Sequence, residues 1–166
     1  MGREIKKFIK EVPDFPTKGI FFKDIQPLLQ NARAFEDAIN GMVDLLQIDL
    51  SKIDYVVGIE SRGFIFGTAM AWITNSGFKM IRKPGKLPNK ENLVSFKYDL
   101  EYGSDTIEIE RGEGNVIIVD DVFATGGTMQ AAKEICVEAG YQVLDLLCLI
   151  DIGLIKNHSV KCLISY

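Results

Sequence analysis

Residues 32–46 place Phe35, Ile39, Met42, Val43 and Leu46 at spacings of three and four, which lines them along one helical face. Such a face needs a surface to cover, and the rest of the chain supplies strands. Residues 55–59 form a β-branched and aromatic run, a strand that enters the loop Gly58-Ile-Glu-Ser-Arg-Gly63, and a helix is predicted over 64–74. A short strand follows at 79–82, then a loop rich in Pro and Lys over 83–92, expected to be mobile. Residues 93–98 and 106–110 alternate apolar with polar positions around Gly103, the pattern of an antiparallel hairpin. Then come a continuous apolar strand at 116–119, a helix over 128–139 ended by Gly140, and a second buried strand at 143–149. Near the start, 5–12 reads as a short amphipathic helix stopped by Pro13, with Pro13, Pro16 and Gly19 forcing a loop.

Strand, helix and strand in succession imply parallel pairing with a right-handed crossover. The fold class is α/β: a mainly parallel sheet flanked by helices, interrupted by an antiparallel hairpin. Ligands of such sheets bind beyond the carboxyl ends of the strands. The 166 residues fit one domain, and 47% hydrophobic with 25% charged residues is an ordinary globular composition.

A net charge of -4 argues against nucleic acid as a partner, although Arg82, Lys83, Lys86 and Lys90 form a local basic cluster able to meet a small polyanion. Cys136, Cys148 and Cys162 are odd in number and unpaired in spacing, so neither a disulfide framework nor a zinc site is expected, and a reducing cytoplasm is the natural setting. The first ten residues lack the apolar stretch of a signal peptide. The apolar stretch 143–155 carries Asp145 and Asp151 and is too short to span a bilayer, so no membrane association is expected.

The chemistry concentrates in Val-Ile-Ile-Val-Asp-Asp-Val-Phe-Ala-Thr-Gly-Gly-Thr-Met, residues 116–129. Ala124, Gly126 and Gly127 permit close backbone approach, Thr125 and Thr128 offer hydroxyls, and the free N–H groups of a helix start carry positive partial charge. That combination suits a phosphate monoester. Asp120 and Asp121, at the end of the strand, can accept hydrogen bonds from sugar hydroxyls. The plainer alternative is a strand-to-helix turn, with Thr128 as cap and both acids in solvent. The run is neither a Walker loop, which needs a Lys after its last Gly, nor a dinucleotide fingerprint, which needs a third Gly.

Two acids followed by Ala-Thr-Gly-Gly-Thr after an apolar strand resembles the phosphoribosyl pyrophosphate signature of type I phosphoribosyltransferases. Further segments resemble the adenine phosphoribosyltransferases in particular: Pro13-Asp-Phe-Pro16, Gly19-Ile-Phe-Phe-Lys-Asp-Ile25, Glu60-Ser-Arg-Gly-Phe64, Arg82-Lys-Pro-Gly-Lys-Leu-Pro88 and Leu100-Glu-Tyr-Gly103. The resemblance spans the chain in order. It implies transfer of the 5-phosphoribosyl group of phosphoribosyl pyrophosphate to adenine, giving AMP and pyrophosphate, with Mg2+ carried by the pyrophosphate rather than by protein ligands. Alternatives are a phosphoribosyltransferase for hypoxanthine, guanine or xanthine, and a purine-responsive regulator without turnover.

The resemblance also distributes roles. Asp120 and Asp121 would hold the ribose hydroxyls, and Ala124, Thr125, Gly126, Gly127 and Thr128 the 5-phosphate. Glu60, Ser61 and Arg62 would take pyrophosphate, against the plain reading of a charged surface loop; the family more often has Asp at Glu60. Arg82, Lys83 and Lys86 would belong to a catalytic loop that closes over the substrates and excludes water. Glu101 would stand beside the reacting ribose and base, with Tyr102 helping to close the site. Phe21 and Lys23, in a hood segment within residues 1–30, would contact the base, partly through backbone groups; the family usually has Arg at Lys23. A homodimer is implied as well. His158, the only histidine, has no Ser or Cys motif beside it and is read as structural or solvated.

Overall fold

The computed structural model describes residues 2–100 and 103–166, with side chains other than that of Leu100. Glu101 and Tyr102 lie outside the described residues. The main sheet is parallel throughout, in the order β4-β3-β7-β8-β9: β3 is Tyr55–Ile59, β4 Gly77–Ile81, β7 Gly114–Phe123, β8 Tyr141–Asp151 and β9 Lys161–Ser165. Two antiparallel pairs stand outside it, β1 (Lys10–Pro13) with β2 (Phe21–Asp24) and β5 (Leu93–Leu100) with β6 (Gly103–Glu110).

Period-two geometry sends successive residues of β7 to opposite faces, and both faces are dry. Ile117 and Val119 pack with Met42 of helix α3 (Ala32–Asp44) and with Phe66 and Met70 of α4 (Arg62–Thr74). Val116 and Ile118 pack with Ala132 and Ile135 of α5 (Gly127–Glu138) and with Val94 and Ile109 of the β5–β6 hairpin. Ile117 and Ile118 are both fully buried. Truncating either to Ala removes about 2–5 kcal/mol. The remaining helices, α1 (Gly2–Ile5) and α2 (Gln26–Leu29), are single turns.

The predicted α/β class and the positions of the central strands and helices agree with this architecture. The helix expected over 5–12 does not form: a 3-10 turn at Lys6–Phe8 follows α1, and Lys10–Pro13 is a strand whose Val12 lies opposite Phe22. Cross-strand pairing, invisible to a local pattern, overrides the helical spacing. Strand β9 was not anticipated, and the cysteines are free as expected, Cys136 and Cys148 buried. No helix among the described residues is long and apolar enough to cross a membrane.

Candidate active site

Strand β7 outruns its neighbour. On one side it pairs with β3 only as far as Gly58↔Val119, while on the other it follows β8 through Val122↔Ile150 and Phe123↔Asp151. From Asp120 onward one edge of β7 has no neighbouring strand, and a cleft of about 450 Å³ opens there. Asp120 and Asp121 are therefore strand residues in its wall, because β7 runs four residues beyond the predicted end at Val119. Gly63, in the first turn of α4, lets that helix sit against them: a Cβ there would meet the Val119 carbonyl oxygen at 2.7 Å and Asp120 Oδ1 at 3.1 Å.

Asp120 Oδ1 accepts the Asp121 N–H at 2.9 Å. Burial, with the Asp121 charge added, pushes the Asp120 carboxyl well above its ordinary range. Asp121 is 4% exposed and is also raised by burial, against the pull of Arg62. Arg62 Nε lies 2.9 Å from Asp121 Oδ2 without a hydrogen-bonding direction, so this buried oxygen has no hydrogen-bond donor among the described residues. Two acids held this way favour a ligand that donates hydrogen bonds, because hydroxyls stabilise the charge that burial penalises.

Ala124, Thr125 and Gly126 leave the strand end and α5 begins at Gly127. Gly126 occupies the N-cap with φ 81°, a left-handed conformation costly for other residues, and no side chain caps the helix. Thr128 is a helical residue and not the cap that the plainer reading requires. A small hollow of about 70 Å³ lies against Ala124, Thr125, Gly126 and Thr128, continuing from Asp120. Unpaired amides facing a concavity at a helix start form an anion site.

Across the cleft, Glu60 and Ser61 join β3 to α4 by a cis peptide. Glu60 accepts from Arg82 Nε at 3.2 Å, from Arg82 Nη2 at 3.3 Å and from the Lys83 amide at 2.7 Å. The Arg82 guanidinium holds the Glu60 carboxyl below its usual value. Glu60 thus fixes the loop after β4 in place. Lys83 lines the cleft but is ion-paired with Asp105 of β6, whose Oδ2 is also 3.5 Å from the Tyr98 hydroxyl. Lys86 is exposed on the same loop and adds to the positive field at Glu60. Tyr98 and Asp105 are cleft residues the sequence reading missed, since hairpin alternation does not say which face meets the sheet.

The β1–β2 hairpin meets the cleft wall through Phe22, whose ring centroid is 4.9 Å from the guanidinium carbon of the cleft residue Arg62. Alternation puts Phe21 and Lys23 on the other face of β2. Phe21 is 60% exposed, and Lys23 is buried, paired with Glu11 and set over the Tyr166 ring. Neither side chain lines the cleft. His158 also stands outside it, with Nε2 3.3 Å from Asp151 Oδ2 and its ring 4.2 Å from that of Phe123, as the structural reading expects.

Residues 27–164 match the phosphoribosyl transferase domain. A Bdellovibrio bacteriovorus adenine phosphoribosyltransferase is 46% identical over 168 residues, covering 98% of this chain and 99% of that protein. The chain belongs to the adenine phosphoribosyltransferase family. Within this family, the crystal structure from Thermoanaerobacter pseudethanolicus superposes with a TM-score of 0.90 at 38% identity and 100% coverage of both chains. The Saccharomyces cerevisiae enzyme, solved with D-2,5-dideoxy-2,5-imino-altritol 1,6-bisphosphate and adenine, gives 0.85 at 34% identity over 98% and 97% of the two chains. The similarity extends over the β1–β2 hairpin, the cleft and the Gly-rich loop alike.

Proposed function

We propose that this chain transfers the 5-phosphoribosyl group of phosphoribosyl pyrophosphate to adenine, forming AMP and pyrophosphate. The observation that carries the reading is the order of groups along one cleft: an uncapped helix start, two buried carboxylates, then Arg62 beneath the hairpin. That order matches a 5-phosphate, ribose hydroxyls, and a pyrophosphate beside a base. The yeast relative's combination of a bisphosphate imino-alditol with adenine supports the same arrangement.

In this reading the amides from Ala124 to Thr128 take the 5-phosphate, and Asp120 and Asp121 orient the ribose. Arg62, with Arg82, Lys83 and Lys86, meets the departing pyrophosphate; Lys83 changes partner from Asp105 to do so. Mg2+ bound to the donor would supply neutralising charge at the leaving group, and the residues facing that group would be Arg62, Arg82, Lys83 and Lys86. A base nitrogen attacks the anomeric carbon as the bond to pyrophosphate breaks, and the carboxylates favour the positive charge that develops on the sugar. Rate comes from positioning and charge placement, without a covalent intermediate on the protein. In this reading Glu101 and Tyr102 serve at the reacting end, as their resemblance to the family's residues implies. The base meets Phe22 and the backbone of β2, so Lys in place of Arg at position 23 is compatible with adenine.

Incubation of the purified protein with Mg2+, phosphoribosyl pyrophosphate and a panel of purine bases tests this reading. AMP formed from adenine, with the other bases untouched, is expected; consumption of a different base overturns the substrate, and binding without turnover favours a sensor.

The protein acts as a cytoplasmic homodimer in this reading. Helix α4 is apolar on both faces: Phe66 and Met70 are buried, while Ile65 is 36% and Trp72 85% exposed. A helix apolar all round needs cover on its outer face, and a second copy provides it. Trp72→Glu should shift the protein to monomer in sedimentation.

A further inference from the structure

Lysine is rarely buried without a partner, yet Lys23 in β2 is 8% exposed. Its ammonium pairs with Glu11 across the β1–β2 hairpin, the residue opposite it in register, and lies 3.6 Å from the centroid of the Tyr166 ring. Lys6 Nζ lies 3.6 Å from the same centroid and donates to the Ser165 carbonyl oxygen at 3.0 Å. Tyr166 itself is fixed to the main sheet, since its N–H donates to the Asp151 carbonyl oxygen at 3.0 Å at the ends of β8 and β9. Burial, with the Glu11 charge added, pushes the Tyr166 phenol above its ordinary value. The ring stays neutral and attracts both ammonium groups through its π system.

The hairpin shares no strand pairing with the main sheet. Its side-chain ties are therefore what set its height over the cleft. Two come from adjacent residues of β2 on opposite faces: Phe22 to Arg62, a residue of the cleft wall, and Lys23 to Tyr166, away from it. We propose that Tyr166 is a positioning residue for base recognition, acting through Lys23 to hold β2 over the cleft at the height the base requires. The inference rests on the reading of this hairpin as the base side of the site. It gives Lys23 a role in specificity with no contact between its side chain and the base.

Steady-state KM values for adenine and for phosphoribosyl pyrophosphate, with kcat, test the proposal in Tyr166→Leu, Tyr166→Phe, Lys6→Met and Phe22→Ala. Tyr166→Leu should raise the adenine KM about tenfold and leave that of the donor within about twofold, while Tyr166→Phe, which keeps the ring face, stays near the parent. Lys6→Met should raise the adenine KM by a smaller factor, and it carries the test if Tyr166→Leu does not fold. An adenine KM raised in Phe22→Ala and unchanged in Tyr166→Leu and Lys6→Met overturns the role of Tyr166 while sparing the base-side reading. An adenine KM unchanged in Phe22→Ala removes the base-side reading and the proposal with it. Equal damage from Tyr166→Phe and Tyr166→Leu also overturns the proposal, because the hydroxyl rather than the ring would then matter.

Discussion

The Gly-rich loop and the hood hairpin approach the same cleft by opposite means. The loop continues a central strand, starts a helix, and takes its shape from the backbone: Gly126 at φ 81° and amides without side-chain caps. The hairpin is a separate two-stranded sheet held by side chains, with Phe22 on Arg62 and Lys23 on Tyr166. A site for a phosphate, whose shape never varies, can be built from rigid backbone. A site for one base among several needs a part whose position side chains can adjust.

The sharpest way to break this contrast is Gly126→Val. A Cβ there adds left-handed strain and meets two Phe123 ring atoms at 3.3 Å. We expect kcat/KM for phosphoribosyl pyrophosphate to fall on the order of a hundredfold, with adenine binding little changed. Loss of both in equal measure would show that the two regions are not independent.

Arg62→Lys probes the joint between them, because Arg62 both pairs with Asp121 and faces the Phe22 ring. A lysine cannot keep a planar stack and an ion pair together. Both KM values should rise, each by about tenfold, in initial-rate measurements with either substrate varied.

Asp120→Asn separates function from stability on the loop side. The native Asp120 carboxyl lies well above its ordinary value of 3.8, so the folded state holds this proton more tightly than the unfolded state does. Its contribution is fully present below that ordinary value and is lost as pH rises through the raised native one, leaving a deficit at neutral pH. Asparagine removes the deficit and can still accept the Asp121 N–H. The variant should melt a few degrees higher at neutral pH, about 2–4 °C per kcal/mol for a chain of this length, with the gain shrinking in acid. Its kcat/KM should fall about tenfold for want of a charged acceptor. A lower melting temperature at pH 7 would contradict the burial argument.

The smallest effect is expected at Asp105→Asn. The Lys83–Asp105 pair is partly exposed, at 45% and 28%, and such pairs contribute about 0.2–1 kcal/mol. Releasing Lys83 should lower the donor KM about twofold; an increase would show that Asp105 aims Lys83 rather than restraining it.

The same contrast explains what the sequence disclosed. The loop was legible because strand, acids, glycines and helix start are contiguous, and each residue type has a local reason to be there. The hairpin was not, because residues 5–12 have a helical pattern and become part strand only by pairing with Phe21–Asp24. Alternation turns the Phe21 and Lys23 side chains away from Arg62 and sets Phe22 against it, which leaves the backbone of β2 as the way those two positions meet a base. Asp105 and Tyr98 escaped notice because their importance depends on which face of a hairpin meets the sheet. Strand β9 was missed because its partner, β8, lies across an irregular loop.

The early end of β3 has a wider consequence. The chamber's depth follows from how far β7 and β8 run on together after their other neighbour stops, a matter of main-chain length rather than of any lining residue. Lining side chains that carry no structural tie can therefore be exchanged without rebuilding the chamber, whereas lengthening β3 by a single ladder step would begin to seal it.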